Sequence, residues 1–224
     1  MSTARAVKPF KGAGMEGVIA SWYAKSTGKS LSEFQSLAKR VAHDLPANAQ
    51  VLEVAPGPGY FAIELAKLGD YRVCGLDISR SFVRIATRNA LAASVTVDFR
   101  LGDAAAMPFA DNAFDRIVCR AAFKNFGDPI GALREMYRVL NPGGRALIID
   151  MSSDASDAAI SEGVAGMGLG PLDSAFTRVA LRSLRRRAYS RQSIDEMIAG
   201  TPFVQGEMVR DGMGFELRLV KSPV

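Results

Sequence analysis

The sequence predicts an α/β fold, a mostly parallel sheet with helices on both faces. Three observations predict it. Between residues 50 and 150, short apolar runs alternate with segments of helical spacing, the pattern of a parallel sheet covered on both sides. The first run, Val51-Leu52-Glu53-Val54, enters a glycine-bearing loop, Ala55-Pro56-Gly57-Pro58-Gly59, and then a helical stretch. One strand–helix–strand unit later, a second run ends in Gly75-Leu76-Asp77. Open α/β sheets bind ligands outside the carboxyl ends of their strands. Gly57 and Gly59 let the backbone turn sharply and approach a ligand closely. Asp77 stands where a carboxylate can accept hydrogen bonds from both hydroxyls of a ribose. The pattern therefore points to a nucleoside-containing cofactor.

The elements follow in order. Residues 1–12 are basic and aperiodic, a loose arm. Met15, Val18, Ile19, Trp22 and Tyr23 recur at helical spacing within 15–25. A second helix is expected at 32–44, with Phe34, Leu37, Ala38, Val41 and Leu45 on one face and Pro46 as its stop. Strands are expected at 50–54, 72–76, 95–101, 114–119 and 145–150. Helices at 60–68, 81–91 and 129–140 separate them, the second capped by Ser79. Asn141-Pro142-Gly143-Gly144 reads as a turn. The alternation then breaks. Residues 152–171 are rich in Ser, Ala, Gly and Asp, and within them the glycine-rich segment 163–170, with Met167 and Leu169, reads equally as a mobile lid and as an irregular connection. A basic helix is expected at 173–189 and a short one at 191–198 behind Ser190. Runs at 203–210 and 213–220 flank Asp211-Gly212, a hairpin signal that adds an antiparallel strand. The chain is expected to be one domain over 1–224. It divides into a helical cap (1–46), a cofactor-binding core (47–151), a substrate-side segment (152–200) and a terminal hairpin (201–224).

Composition bounds the function. A chain of 224 residues with 48% hydrophobic content suits one large domain with a real core. Cys74 and Cys119 each lie in an apolar run and read as buried hydrophobes rather than a disulfide. His43, the only histidine, reads as a surface helix residue. No His, Cys and carboxylate set has ligand spacing, so no metal is expected. Residues 1–10 lack an apolar signal core, and no run reaches the ~20 apolar residues of a span, which makes the cytoplasm the expected location. The net charge of +5 favours anionic ligands or surfaces. Arg178, Arg182 and Arg185 recur at helical spacing. A solvated face is the plain reading, and contact of Arg178–Arg187 with an anionic membrane surface or a nucleic acid the sharper one.

The loop Gly57-Pro58-Gly59-Tyr60-Phe61-Ala62 also fits a dinucleotide fingerprint. Glu53 argues against that reading. A carboxylate aimed into this loop repels a pyrophosphate and suits a cationic, amine-bearing ligand, and it can also accept hydrogen bonds from loop amides. After the third strand, Asp103 can accept from an adenine amino group while Ala104 offers backbone contact. Asp115 reads as a structural acceptor for loop amides.

Together these residues resemble the class I S-adenosylmethionine-dependent methyltransferases, nearest the small-molecule group that includes the ubiquinone/menaquinone C-methyltransferases. The motif acidic-x-Gly-x-Gly-x-Gly reads Glu53-Val54-Ala55-Pro56-Gly57-Pro58-Gly59. The resemblance continues through Gly75-Leu76-Asp77-Ile78-Ser79, Gly102-Asp103 to Phe109, Phe114-Asp115 and Leu133 to Gly144. It implies a Rossmann-like class I methyltransferase fold with a seven-stranded sheet, S-adenosyl-L-methionine as cofactor and S-adenosyl-L-homocysteine as product. It assigns cofactor contacts to Glu53, Ala55, Gly57, Gly59, Asp77, Ile78, Asp103, Ala104 and Arg120, with Tyr23 as an N-terminal aromatic closing over the cofactor. Lys124, Asn125 and Trp22 are expected to touch the acceptor. Ala55 departs from the motif: it replaces the first glycine, and its methyl narrows the approach of the cofactor's methionine part.

A sulfonium methyl is already activated, so the expected chemistry is in-line displacement, governed by orientation and exclusion of water. That suits a chain with no evident base or nucleophile constellation, and no catalytic residue is assigned. The acceptor is expected to be a small, partly apolar molecule that can carry negative charge. A nicotinamide-dependent oxidoreductase on the same sheet plan is the second reading, without a Tyr-x-x-x-Lys pair to support it. A non-catalytic cofactor-binding protein is the third, kept open by Ala55. A nucleic-acid substrate is the weakest, because no Asn/Asp-Pro-Pro-aromatic tetrapeptide occurs. The sequence carries no signal of oligomeric state.

Overall fold

The computed structural model describes residues 10–11, 15–28, 31–204 and 206–223. Most of the arm expected at 1–12 lies outside the described residues. Seven strands form one sheet: β1 (Gln50–Val54), β2 (Arg72–Asp77), β3 (Asp98–Leu101), β4 (Phe114–Arg120), β5 (Leu140–Met151), β6 (Gly206–Asp211) and β7 (Gly214–Val220). Their order is β3-β2-β1-β4-β5-β7-β6. The pairs from β3 to β5 are parallel, while β7 runs antiparallel to both β5 and β6. The expected α/β sheet with an antiparallel terminal hairpin is therefore present. The helices are α1 (Gly17–Thr27), α2 (Leu31–Ala42), α3 (Tyr60–Ala66), α4 (Arg80–Ala92), α5 (Pro129–Val139), α6 (Asp157–Gly166), α7 (Pro171–Arg185) and α8 (Arg191–Ala199).

Strand periodicity sorts the core into two layers. Side chains alternate across a pleated strand. Leu52, Val54, Ile117, Cys119, Ala146 and Ile148 point to one face, where Leu133 and Met136 of α5 and Ile194 and Ile198 of α8 cover them. Val51, Val73, Val118 and Leu147 point to the other, against Leu37 and Val41 of α2 and Phe61 and Leu65 of α3. A third, smaller cluster joins Ala20 and Ala24 of α1 to Phe82 and Ile85 of α4. The N-terminal helices are thereby fastened to the sheet module beside the end of β2. Asp115 ties two further segments: it accepts from the Gln50 amide at 2.8 Å and from Asn141 Nδ2 at 2.7 Å.

Several boundaries differ from expectation, and three of the differences have a local reason. Strand β3 begins at Asp98 rather than residue 95, because the Val95 amide donates back to Ala90 and extends the close of α4. The Asn141–Gly144 turn is absorbed into β5 as an irregularity: Leu140 pairs with Phe114 and Arg145 with Arg116. Its extra residues exchange hydrogen bonds with Lys221. The glycine-rich segment contains α6, which Ser156 caps by accepting from the Ala159 amide and which buries Ile160 and Val164. Two buried residues four apart give a weak helical signal among so many small residues. The caps expected at Ser79 and Ser190 are present, accepting from the Phe82 and Ser193 amides.

Candidate functional site

The strand order reverses between β1 and β4, and a crevice opens at such a switch point. There lies a cavity of about 570 Å³, within the ~300–1,000 Å³ range of small-molecule sites. Its walls come from the carboxyl ends of four adjacent strands: residues 53–58, 76–79, 102–104 and 120–122. Phe10, Met15, Tyr23, Thr27 and Phe34 line it from the N-terminal segment, and Leu184 and Arg187 from the end of α7.

Two buried carboxylates organise the chamber. Asp77 Oδ2 accepts from the Gly57 amide at 3.0 Å and Oδ1 from the Ser79 amide at 2.9 Å. It bridges the loops after β1 and β2, yet each oxygen keeps a lone pair for a further donor. Glu53 Oε2 accepts from the Ala62 amide at 3.1 Å. Helix α3 starts at Gly59, which has no side chain to cap it, so Glu53 serves as the acceptor its first turn needs. Burial pushes the Glu53 carboxyl up to about 8; the Ala62 amide opposes this, Asp77 adds to it and Arg120 offsets part of it. Burial likewise raises Asp77 to about 6, against the Ser79 and Gly57 amides. Among the described residues, neither carboxylate has a cationic side chain in salt-bridge contact.

The glycine loop explains its own composition. Gly57 has φ +54, and a Cβ placed there meets nothing within 4 Å, because it points into open space. Gly59 has φ +80, but its Cβ would fall 2.6 Å from Phe99 Cζ and 2.9 Å from Ala86 Cβ. Gly57 thus borders the cavity, whereas Gly59 serves close packing of α3 on its neighbours and does not line the chamber. Ala55 takes φ 57. Glycine is the usual occupant of this left-handed region, and a Cβ there costs about 1–2 kcal/mol. Ala121, beyond β4, also sits at φ 57. Both strained alanines line the cavity.

Of the other sequence-predicted residues, Ile78, Asp103, Ala104, Arg120, Tyr23, Lys124 and Asn125 line the same chamber. Asp103 Oδ1 is held by the Ala105 amide at 2.9 Å. Arg120 pairs with Glu33 at 2.6 Å and stacks 4.6 Å from the Phe34 ring centre, linking the sheet to α2. Lys124 is neither solvated nor free: its ammonium is buried 2.7 Å from Asp150 Oδ1 and 2.7 Å from the Ala121 carbonyl. Its own amide donates to Asp150 Oδ2. Removing one member of such a pair alone strands a buried charge, at about 3–5 kcal/mol. Tyr23 packs edge-on against Phe82, and burial raises its phenol, which Asp150 also favours and Arg120 opposes. Trp22 is 68% exposed and stands outside the cavity, because α1 turns Ala20 and Ala24 inward instead. His43 is exposed beside Asp44.

Sequence reading missed three supporting residues whose partners are distant in the chain. Glu16 accepts from the Arg80 and Ser81 amides and so closes the start of α4 from the N-terminal segment. Arg138 binds Glu135, Asp111 and the carbonyls of Met107 and Phe109, fixing the loop that follows Asp103. Asp150, at the end of β5, holds Lys124. Only an acid at the end of an apolar run was available as a signal for Asp150, and such acids are common.

Residues 52–148 match the family model described as a methyltransferase domain. A demethylmenaquinone methyltransferase of Deinococcus radiodurans is 38% identical over 108 residues, which is 48% of this chain and 45% of that protein. The chain matches about half the length of such curated relatives. A putative S-adenosylmethionine-dependent methyltransferase of Methanococcus maripaludis superposes with a TM-score of 0.72 at 20% identity, covering 96% of this chain and 97% of that one. The [4+2]-cyclase SpnF superposes with a TM-score of 0.64 at 20% identity, covering 85% and 81%. The fold is shared with proteins of different named chemistry, so function rests on the site.

Two expectations follow from this geometry. Gly59→Ala combines left-handed strain with a ring overlap and costs about 1–3 kcal/mol more than Gly57→Ala, seen as a larger fall in melting temperature. Gly57→Ala keeps more stability but loses ligand affinity, because its methyl enters the cavity. Equal melting losses would contradict the distinction. The second concerns pH. Both carboxyls titrate higher in the folded than in the unfolded chain, so the folded state holds extra protons between the two values. Stability of the ligand-free protein therefore falls as pH rises, through Asp77 up to about 6 and through Glu53 up to about 8. Melting temperature against pH checks this, and Glu53→Gln is expected to flatten the fall between about pH 6 and 8. A wild-type profile already flat there contradicts it.

Proposed function

We propose that this chain, whose residues 52–148 match the methyltransferase-domain family model, is a class I S-adenosylmethionine-dependent methyltransferase that transfers a methyl group from S-adenosyl-L-methionine to a small, partly apolar acceptor. The observation that carries the reading is the pair of buried carboxylates, Glu53 and Asp77, facing one chamber across the glycine loop. They suit a ligand that brings a ribose to one and positive charge to the other. A pyrophosphate beside Glu53 would bring no cation to stabilise the charged form of a carboxyl that burial holds up at about 8, which disfavours the nicotinamide reading.

When bound, the cofactor supplies an activated sulfonium methyl, and S-adenosyl-L-homocysteine is the product. The chain's residues do the holding. Asp77 accepts from the ribose hydroxyls with the lone pairs its two amides leave free. Asp103 accepts from the adenine amino group, with Ala104 and Ile78 beside the ring. Glu53 faces the ammonium end, next to Ala55. Gly57 leaves the room that a side chain would fill. Tyr23, Phe34 and Arg120 close the chamber and exclude water, which strengthens the electrostatic contacts inside.

We assign the acceptor to the part of the cavity beyond β4, beside Phe10, Phe34 and Phe126, with Lys124 and Asn125 as the polar contacts. This supports an aromatic or quinol-like acceptor, in keeping with the name of the Deinococcus relative. Tyr23 stays a protonated phenol at neutral pH, since burial raises it, and so is not a general base. The acceptor must then be nucleophilic by its own acidity: it loses its proton to bulk water before entering, and its anion forms the new bond to the methyl carbon as the carbon–sulfur bond breaks and S-adenosyl-L-homocysteine leaves. The test is production of S-adenosyl-L-homocysteine with a panel of hydroquinones, phenols, polar amines and peptides. Turnover is expected with hydroquinones or acidic phenols, and Asp77→Ala is expected to raise KM for the cofactor about tenfold or more. Turnover confined to polar or macromolecular acceptors would refute the acceptor assignment.

A further inference from the structure

Helix α7 is amphipathic the wrong way round for a helix of a water-soluble core. It has no buried residue. Thr177, Arg178, Leu181 and Arg185 are half-buried and form its inner face. Arg182 and Arg185 reach Asp157 of α6 at 3.2 and 3.1 Å, and Arg185 also donates to the Ala155 carbonyl. The arginine stripe read from the sequence is therefore partly spent on α6. Leu172, Phe176 and Val179 lie at spacings of four and three, so they share the opposite face. They are 87%, 77% and 64% exposed. Met167 and Leu169, just before the helix, are exposed as well. Contiguous exposed apolar side chains rimmed by charge mark an interaction surface rather than a solvated face.

We propose that this outward face of α7 docks on an anionic lipid surface. Apolar side chains enter the boundary between headgroups and acyl chains, while Arg186 and Arg187, exposed just past the helix, meet lipid phosphates. Charge selects this occupant. Arg178, Arg182, Arg185, Arg186 and Arg187 stand against two acids, Asp173 and Asp157 of α6, the second paired with Arg182 and Arg185, so these residues keep an excess of three positive charges. A second copy packed face to face would set two such cationic helices against each other, which disfavours a symmetric dimer. The position also fits: Leu184 and Arg187, at the end of the same helix, line the cavity. Docking through α7 therefore brings the chamber to the membrane interface, where an apolar acceptor would be concentrated.

The test needs no turnover, so it stands whether or not the methyl-transfer reading does. Wild-type protein is sedimented with vesicles of equimolar phosphatidylglycerol and phosphatidylcholine, and with pure phosphatidylcholine. The Leu172→Ser/Phe176→Ser/Val179→Ser variant is run beside it. These side chains bury nothing in the fold, so its melting temperature should match wild type. Wild type is expected to bind the anionic vesicles, at least about tenfold more strongly than the neutral ones and than the variant binds either. Added salt should weaken that binding. Failure of wild type to bind anionic vesicles overturns the proposal, and so does equal binding by the variant. A wild-type dimer in ultracentrifugation that the variant abolishes would assign the face to a second copy and overturn it equally.

Discussion

The site rests on one constraint: two carboxylates are buried at the carboxyl ends of adjacent parallel strands, and the sheet topology leaves no other place for them. Glu53 must face inward to satisfy the first turn of α3, which begins on a glycine. Asp77 must face inward to join the loops after β1 and β2. Burial disfavours their charged forms, so both titrate high. The fold alone thus produces a chamber of unmet acceptor capacity. A ligand that brings hydroxyls to one carboxylate and positive charge to the other relieves the constraint, and binding energy arises from a cost the folded chain already bears.

The N-terminal segment and the chemistry are coupled through the same loops. Glu16 supplies two acceptors to the start of α4, and Ser79 returns a hydrogen bond to the Met15 carbonyl. Arg120 reaches Glu33 and Phe34 from the end of β4. Each contact joins the N-terminal segment to a residue in or next to the cavity wall, so the covering helices are held by residues adjacent to those that line it. Strain gathers there too, at Ala55 and Ala121. The motif glycine missing at 55 is intelligible as a backbone requirement, φ in the left-handed region, before any question of room for a ligand arises.

What the sequence made legible was whatever depends on local order. Short apolar runs located β1, β2 and β4, and capping serines located the starts of α4 and α8. Glu53 and Asp77 were readable because they end strands beside glycines. Contacts between distant segments were not readable. Nothing near Lys124 in the chain announces Asp150 as its partner, and nothing near Arg178 indicates that its neighbours Arg182 and Arg185 pair with Asp157. Trp22 misled for a related reason: Ala20 and Ala24, too small to dominate a periodicity count, are the residues that α1 buries. Helix α6 hid behind glycines whose compositional signal outweighed two apolar positions.

The central claim is that this chamber holds S-adenosyl-L-methionine. Calorimetric titration of that compound, and separately of NADH, into the wild-type protein near pH 7.5 tests it most directly. Saturable binding of S-adenosyl-L-methionine is expected, without binding of NADH. Proton release is expected with it, because a cation beside Glu53 draws its carboxyl down from about 8. Saturable binding of NADH with none of S-adenosyl-L-methionine would contradict the account.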